Sequence, residues 1–395
     1  MNINERCFAL GSKRSIIREI FEYSKKRSLE IGADKVFDFS LGNPSVEPPV
    51  DVKNAILELL NLDNQTIIHG YTSAQGDLSV RKAISDNLNE RFNVNLNENL
   101  IYMTCGAAAS LSITLKALFN EGDECVVFAP FFTEYRVFIE SANGKVVVSY
   151  PKNKDFQIDL SDLESKITKN TKAIIVNSPN NPSGVVYSED TIKSVCNLLE
   201  KKSKEYGNTI YLISDEPYRE LVYDGVKVPF VMNYYKNSIV CYSFSKSLSL
   251  PGERIGYIAV SSSLDNAKEV YLAICGAGRS LGYVCAPSMF QQVAKACLKA
   301  KINVEAYKEN RDILYNALTK FGFEVVKPDG AFYLFVKSPV DTQEFFEKAK
   351  ELEILVVPCA DFGVPNYVRI AYCVSKKRIE DSLPFFEKLA KFYNL

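Results

Sequence analysis

The sequence predicts an α/β protein with two domains: a large domain with a mostly parallel sheet sandwiched by helices, and a smaller α+β domain. Six short apolar runs in the middle of the chain have the near-continuous hydrophobicity of strands buried on both faces. Helical patterns separate several of these runs. From about Pro287 a long amphipathic helical region replaces them. The predicted domains are residues 46–287 and a discontinuous small domain of residues 1–45 and 288–395.

The strands of the large domain are predicted from their Val- and Ile-rich composition. They are DECVVFAP (123–130), KVVVSYP (145–151), KAIIVNSP (172–179), TIYLISDEP (209–217), SIVCYSF (238–244) and GYIAVSS (256–262). One connecting helix, SEDTIKSVCNLLEKKSKEY (188–206), opens on a serine cap followed by acidic residues. This alternation of strand and helix is typical of a parallel sheet, because parallel strands need crossover connections.

The small domain is predicted from the change of pattern after Pro287. Residues 288–322 form an amphipathic helical region that is expected to break near residue 301. EVVKPDGAFYLFVK, the helix DTQEFFEKAKEL, the strand ILVVPC, NYVRIAYC and a closing helix follow. The N-terminal 45 residues, a helix followed by FDFSLGNPS, are expected to pack with this part.

Composition excludes several classes of function. The 395 residues are 47% hydrophobic and 24% charged with a net charge of −1, and no Lys- or Arg-rich block marks a nucleic-acid or anionic membrane surface. No apolar run approaches the roughly 18 residues of a membrane span, and the N-terminus has no apolar signal core. Ten cysteines occur singly without a CxxC pair, which favours reduced thiols in a cytoplasmic protein. The sequence has a single histidine, His69, so a histidine-dependent catalytic triad or a His-rich metal site is not expected, and no metal is expected.

Polar side chains follow four of the predicted strands, where ligands of α/β sheets bind. In MTCGAAASLSITLKALF (103–119), Gly106 and small residues precede a helix whose first N–H groups favour an anion. In NSPNNPSG (177–184), Asn181 precedes a proline and is therefore held extended. Each of these segments alone is also compatible with an ordinary turn.

The other two strand ends carry an acid and an amine. Asp215 follows the apolar strand of ISDEPYREL, so its carboxylate is expected to be poorly solvated and to need a cationic partner from elsewhere. Tyr218 offers a phenol one turn later. Lys246, in SFSKSLSLPGERIG, follows a buried strand, where desolvation and a nearby cation lower the pKa of an amine and make it nucleophilic.

A phosphate clamp is predicted around the lysine, from Ser243, Ser245 and Arg254. Four such strand ends in this order favour one binding site over four unrelated turns. Together they offer an amine, a buried carboxylate for a ring cation, hydrogen-bond donors and a phosphate cradle. Pyridoxal 5′-phosphate (PLP) fits this set, since its aldehyde reacts with lysine and its pyridinium nitrogen pairs with a carboxylate.

The motifs NNPSG, SDEPY and SFSKSLSLPGERIG, in this order and spacing, resemble those of class I/II aminotransferases of the fold type I PLP superfamily. The resemblance extends from FDFSLGNPS to NYVRIAYC. It implies that Lys246 bonds covalently to the cofactor and moves the substrate proton, and that Asp215 pairs with the pyridine nitrogen. It also implies that Asn181 and Tyr218 donate hydrogen bonds to the ring hydroxyl. Tyr218 is then one of the catalytic residues, and Asn181 also contacts the substrate.

The resemblance further assigns the groups around the phosphate. Those of this subunit are the side chains of Ser243, Ser245 and Arg254 and the amides of Ala107 and Ala108. A further phosphate-binding group is expected to come from the neighbouring subunit. Tyr71 of HGYTSAQG matches a tyrosine that reaches the phosphate bound by the other subunit. A homodimer with shared active sites is therefore expected.

Two further positions are assigned to the ring and the substrate. Phe132 of APFFTEY matches the aromatic residue that stacks on the cofactor, but unlike the Trp or Tyr of many relatives it cannot donate a hydrogen bond. Arg369 of NYVRIAY matches the arginine that binds the substrate α-carboxylate, assisted by the Gly42 amide.

The expected function is transfer of an amino group between an L-amino acid and a 2-oxo acid, with 2-oxoglutarate and glutamate as one pair. A PLP-dependent C–S β-lyase, or another PLP enzyme of this fold, is the alternative. A transcription regulator would need a preceding DNA-binding domain, whereas FDFSLGNPS begins at residue 37. Ala108 stands where some aspartate-specific relatives have a basic residue, so the preferred amino donor stays open.

Overall fold

The computed structural model describes residues 2–12 and 15–395, which form fifteen α-helices, three 3₁₀ helices and thirteen strands. The α-helices are α1 (Glu5–Ser12), α2 (Ile16–Ile31), α3 (Val50–Leu60), α4 (Thr66–His69), α5 (Leu78–Phe92), α6 (Ala107–Leu118), α7 (Glu134–Ser141), α8 (Leu160–Lys166), α9 (Glu189–Tyr206), α10 (Phe244–Ser247), α11 (Ala267–Leu281), α12 (Ser288–Ala296), α13 (Val304–Lys320), α14 (Thr342–Glu351) and α15 (Lys376–Phe392). The 3₁₀ helices are Ala33–Lys35, Glu98–Leu100 and Val231–Asn233. The strands are β1 (Phe37–Asp38), β2 (Ile101–Thr104), β3 (Glu124–Phe128), β4 (Lys145–Ser149), β5 (Thr171–Asn177), β6 (Tyr211–Asp215), β7 (Ser238–Ser243), β8 (Gly256–Val260), β9 (Val325–Val326), β10 (Tyr333–Lys337), β11 (Ile354–Leu355), β12 (Val357–Pro358) and β13 (Tyr367–Ala371).

The larger of two compact units consists of Val46–Val304 and Asp329–Ala331. It contains a seven-stranded sheet with the order β2-β8-β7-β6-β5-β3-β4. Only β8 runs antiparallel to its neighbours, β2 and β7, and the other strand pairs are parallel. The predicted α/β fold with a mostly parallel sheet is confirmed.

Burial explains why these strands read as continuous apolar runs. Every residue of β2, β6, β7 and β8 is buried. Each fully buried Val, Leu or Ile side chain contributes about 1.5–3 kcal/mol relative to an exposed one. The connecting helix α9 begins as predicted, because Ser188 Oγ accepts a hydrogen bond from the Thr191 N–H at 3.0 Å, and it ends at Gly207 with φ of 67°.

The strand directions bring the candidate site residues to one edge of the sheet. The carboxyl ends of the parallel strands β3, β5, β6 and β7 lie at that edge. Because β8 is reversed, its first residue, Gly256, lies there as well and pairs with Thr104 at the end of β2 and with Ser243 at the end of β7. Segments that follow β2 and β7 therefore meet the segment that precedes β8.

Residues 288–304 pack with the larger unit, although the sequence places the domain boundary at 287. Helix α12 contacts α3, α4 and α5, which all belong to that unit. The change of pattern at Pro287 therefore marks a change from strand to helix and not the start of a new packing unit.

The smaller unit consists of Met1–Ser45, Glu305–Pro328 and Phe332–Leu395. It contains a four-stranded antiparallel sheet with the order β12-β13-β10-β9 and the parallel strand pair β1-β11. Strand β13 lies between β12 and β10 and carries Arg369 at its centre. In both units, none of the helices that the structure describes is long and apolar enough to cross a membrane.

Candidate active site

The carboxylate of Asp215 is held by neutral donors at the end of the parallel sheet. Asp215 ends β6 and is buried, and its partner in the ladder is Asn177, which ends β5. Asn177 Nδ2 donates to the Asp215 backbone oxygen at 3.0 Å and lies 3.4 Å from Oδ2. The hydroxyl of Tyr135, at the start of α7, donates to the same Oδ2.

The environment of Asp215 fits a cationic partner. Burial raises the pKa of its carboxyl to about 7, the Tyr135 hydrogen bond opposes this rise and the charge of Glu216 adds to it. Oδ1 is buried and has no hydrogen-bond partner among the described residues. Because a buried carboxylate is costly without a cation, the free oxygen suits a protonated ring nitrogen of the kind that PLP carries.

Two residues beside Asp215 had no predicted role. Asn177 is the first residue of NSPNNPSG, and Tyr135 lies three residues after Phe132. The ring of Tyr135 meets that of Phe132 edge to face, with centroids 5.8 Å apart. Burial, followed by the charge of Asp215, keeps the pKa of the Tyr135 phenol well above its usual range, so the phenol stays protonated as a donor. The position of Tyr135 three residues after Phe132 in APFFTEY was the available signal.

Asn181 and Tyr218 join the same cluster. The Asn181 N–H donates to Asn177 Oδ1 at 2.7 Å, which ties the NSPNNPSG turn to the end of β5. Tyr218 is buried and lies close enough to Tyr135 to raise the pKa of its phenol. The structure thus brings Asn181 and Tyr218 to the surroundings of Asp215.

Lys246 lies on the short helix α10, directly after β7. Ser243 caps this helix, since its Oγ accepts from the Ser245 N–H at 3.2 Å and donates to Ser245 Oγ at 2.7 Å. The strand before the helix pairs Cys241 with Asp215. The amine-bearing helix and the carboxylate-bearing strand are therefore neighbours, and Lys246 is half-buried.

The predicted anion cradle consists of Gly106, Arg254 and the first amides of α6, which the structure brings together. Gly106 has φ of 89°, and a Cβ atom at this position would lie 2.9 Å from Arg254 Nη2. A Cβ at Gly256 would lie 3.0 Å from Gly106 Cα, so two glycines permit the close approach. Ala107 and Ala108 begin α6, whose first N–H groups have no intrahelical acceptor. The guanidinium and these amides together suit a phosphate dianion.

Two predicted site residues are less enclosed. Phe132 follows β3 and is half-buried. The Tyr71 residue is 98% exposed, and it makes no hydrogen bond or ring contact with any part of the chain that the structure describes. The larger unit therefore leaves Tyr71 free to meet another molecule.

The smaller unit holds the predicted carboxylate-binding pair, Arg369 and Gly42. Arg369 is buried, its Nη2 donates to the Ser40 backbone oxygen, and its guanidinium lies 4.6 Å from the centre of the Tyr333 ring. Gly42 lies so close to Tyr333 that a Cβ atom would overlap the phenol oxygen. Tyr333 thus orients the guanidinium and also limits position 42 to glycine.

Comparison with known proteins agrees with this geometry. The family Aminotransferase class I and II matches residues 34–383. A probable aspartate aminotransferase of Methanocaldococcus jannaschii is 32% identical over 98% of this chain and 99% of its own length. The crystal structure of an aminotransferase from Eubacterium rectale is 53% identical over the whole of both chains, with a TM-score of 0.98. That of Thermus thermophilus aspartate aminotransferase with maleate is 25% identical over 98% of this chain and 100% of its own, with a TM-score of 0.87. The predicted resemblance is confirmed: this chain belongs to the class I and II aminotransferase family and is an aminotransferase.

Proposed function

We propose that this aminotransferase depends on PLP, which its larger unit binds through Lys246, Asp215 and the anion cradle. The observation that carries the proposal is the buried Asp215 carboxylate, whose Oδ1 has no partner among the described residues and whose strand adjoins the strand leading to Lys246. When bound, the cofactor supplies an aldehyde carbon and a protonated ring that accepts electrons. The larger unit is then the PLP-binding domain, and the smaller unit is the small domain.

In this proposal Lys246 moves the proton. Its amine would hold the cofactor at the aldehyde carbon, and the same amine would serve as the base that takes the substrate Cα proton and as the acid that returns it. Asp215 would keep the ring nitrogen protonated; Tyr135 orients the Asp215 carboxylate, and Asn177 holds the Asp215 backbone oxygen.

The remaining predicted residues bind and orient. Phe132 stacks on the ring, while Asn181 and Tyr218 donate to its hydroxyl. The groups that hold the phosphate are Ser243, Ser245, Arg254 and the amides of Ala107 and Ala108. Arg369 and the Gly42 amide hold the substrate α-carboxylate, and Asn181 touches the substrate as well.

We further propose an L-amino acid and a 2-oxo acid as substrates, with 2-oxoglutarate and glutamate as one pair. Relatives named as aspartate aminotransferases, one of them crystallised with maleate, support a dicarboxylate substrate. The ten free thiols support a reducing, cytoplasmic location.

A panel of amino donors tests this function. With PLP and 2-oxoglutarate, the purified protein should convert at least one L-amino acid to its 2-oxo acid and form equimolar glutamate, measured by mass spectrometry. Removal of PLP should abolish both products, and its return should restore them. Release of pyruvate and ammonia from a sulfur amino acid without any 2-oxo acid, in place of glutamate formation, would instead identify a C–S β-lyase.

We also propose a homodimer with shared active sites, which the surroundings of Tyr71 support. The Cys285 N–H donates to the Ala74 oxygen at 3.1 Å, which ties the segment after α11 to the HGYTSAQG loop that contains Tyr71. Exposed apolar side chains flank these two segments in the sequence, at Ile67 of α4, Leu281 of α11, Tyr283 and Val284. An apolar surface around an exposed tyrosine fits an isologous contact with a second copy. Each Tyr71 would then reach the phosphate site of the partner.

Mixed subunits test the shared site. Tyr71→Phe and Lys246→Ala subunits should each be weakly active alone. After subunit exchange, a hybrid dimer carries both lesions in one site and none in the other, so activity should rise above that of either parent. Hybrids verified by native mass spectrometry that recover no activity would contradict the proposal.

Tyr135→Phe should slow turnover and leave cofactor binding in place. Loss of a hydrogen bond to a charged carboxylate costs about 1.5–3 kcal/mol, which corresponds to a decrease in kcat of about ten- to a hundredfold. Tyr235→Phe is a matched control, because that buried phenol donates to the Ile210 oxygen at 2.7 Å away from Asp215. Equal kcat values for the two variants would show that Tyr135 has no role in positioning Asp215.

A further inference from the structure

A cavity of the larger unit lies against the helix that carries Lys246. Its volume is about 720 Å³, within the roughly 300–1,000 Å³ typical of small-molecule sites. Its walls come from α5, β7, α10, β8 and residues 297–304. None of the residues assigned above to the cofactor or the substrate lines it.

One wall of this cavity is aromatic. The rings of Tyr242 and Tyr257 are stacked, with centroids 4.9 Å apart and an angle of 20° between their planes. Phe244 meets Tyr242 edge to face, with centroids 5.2 Å apart. All three residues line the cavity and are otherwise buried. A planar apolar group would extend this stack.

Ser247 brings helix α10 to the same side of the cavity. The residue is 7% exposed and lines the cavity. Its Oγ is buried and lies next to the Tyr242 hydroxyl. The cavity therefore borders the helix that carries Lys246.

The charged residues around the cavity leave an excess of positive charge. Arg91 contacts Glu220 at 2.8 Å, and Lys299 contacts Glu90 at 2.9 Å. Lys301 also lines the cavity, and among the described residues it makes no ion pair. The balance of three cations and two anions favours a ligand with one negative charge.

We propose that this cavity binds a small aromatic monocarboxylic acid. The ring lies against Tyr242 and Tyr257, and the carboxylate is attracted by Lys301. Because Ser247 directly follows Lys246 on α10, such a ligand contacts the turn that holds the catalytic amine. The cavity is then a site from which a metabolite acts on the position of Lys246. Binding itself does not depend on the transfer reaction.

The probe is 4-iodobenzoate, added to crystals of the full-length protein supplied with PLP. Anomalous scattering should place an iodine atom between Tyr242 and residues 297–304. Calorimetry in solution should give a Kd at least about tenfold lower for 4-iodobenzoate than for the neutral 4-iodobenzamide, since only the acid carries the charge. No iodine in the cavity at saturating probe, iodine only beside Arg369, or equal affinity for both compounds would overturn the proposal.

Two tryptophan variants separate this cavity from other sites. Ala300→Trp fills it, because Ala300 lines it, and should weaken 4-iodobenzoate binding at least about tenfold. Ala296→Trp adds the same side chain at an exposed position of α12 outside the cavity and should bind as the unchanged protein does. Unchanged binding by a folded Ala300→Trp protein would also overturn the proposal. The comparison of acid with amide uses the unchanged protein and does not depend on how these variants fold.

Discussion

Lys246→Ala should lower aminotransferase activity by at least about four orders of magnitude. The variant loses both the amine that bonds to the cofactor and the group that moves the Cα proton, and general acid–base catalysis alone contributes about 10²–10⁴-fold. Borohydride reduction of the unchanged protein should fix the cofactor to the peptide that contains Lys246, as read by peptide mass spectrometry. The variant should show no such label on any peptide.

Lys169→Ala is the control for this loss, because Lys169 is an exposed lysine in a turn of the larger unit. Its activity and its label should match those of the unchanged protein. Added methylamine should restore part of the Lys246→Ala rate, since a small amine can take the proton in place of the missing side chain. A reduced label on a different lysine, or near-normal turnover by Lys246→Ala, would remove the basis of the proposed mechanism.

Asp215→Asn should bind PLP through Lys246 and the anion cradle and yet lose several orders of magnitude in kcat. An amide cannot keep the ring nitrogen protonated, and each 1.36 kcal/mol of lost transition-state stabilisation lowers the rate about tenfold. Asp265→Asn, which removes a surface carboxylate paired with Lys236, should leave kcat unchanged. Absorbance spectra should establish that cofactor is present in both variants before rates are compared.

The same substitution should stabilise the cofactor-free protein at high pH. Burial raises the pKa of Asp215 from 3.8 to about 7 in the folded state. The stabilisation from its bound proton is therefore complete below about pH 4 and is lost as the pH rises through 7. At pH 8, Asp215→Asn should exceed the unchanged protein by up to about 4 kcal/mol in the free energy of unfolding. Urea unfolding from pH 4 to pH 8 measures the difference, and a difference that does not grow with pH would contradict this account.

Much of the large sheet could be predicted because its strands are buried on both faces and therefore read as continuous apolar runs. Asp215 and Lys246 stood out for the same reason, as ionisable residues directly after such runs. The direction of β8 could not be predicted, since a buried antiparallel strand has the same apolar composition as a parallel one. The local sequence pattern does not predict which strands pair with each other.

The contacts of Tyr135 and Asn177 with Asp215 could not be predicted from sequence motifs. Their contacts with Asp215 arise from the parallel pairing of β5 with β6 and from the position of α7, which are tertiary relations. The unit to which α12 belongs could not be predicted for the same reason, because α12 packs against α3, α4 and α5, which lie far away in the sequence. Local patterns indicate which elements form, and the contacts between elements decide what each side chain does.

The reversal of β8 also has a consequence for synthesis of the chain on the ribosome. Gly106 meets Arg254 only after β8 has inserted between β2 and β7, which requires the chain through Val260 to have emerged. Contacts of such large sequence separation form late, because loop closure costs entropy before they contribute. A nascent chain that ends before β8 therefore has no complete cradle for a phosphate. In the proposed function, the phosphate of PLP is therefore held by the complete cradle only after the larger unit has closed around β8.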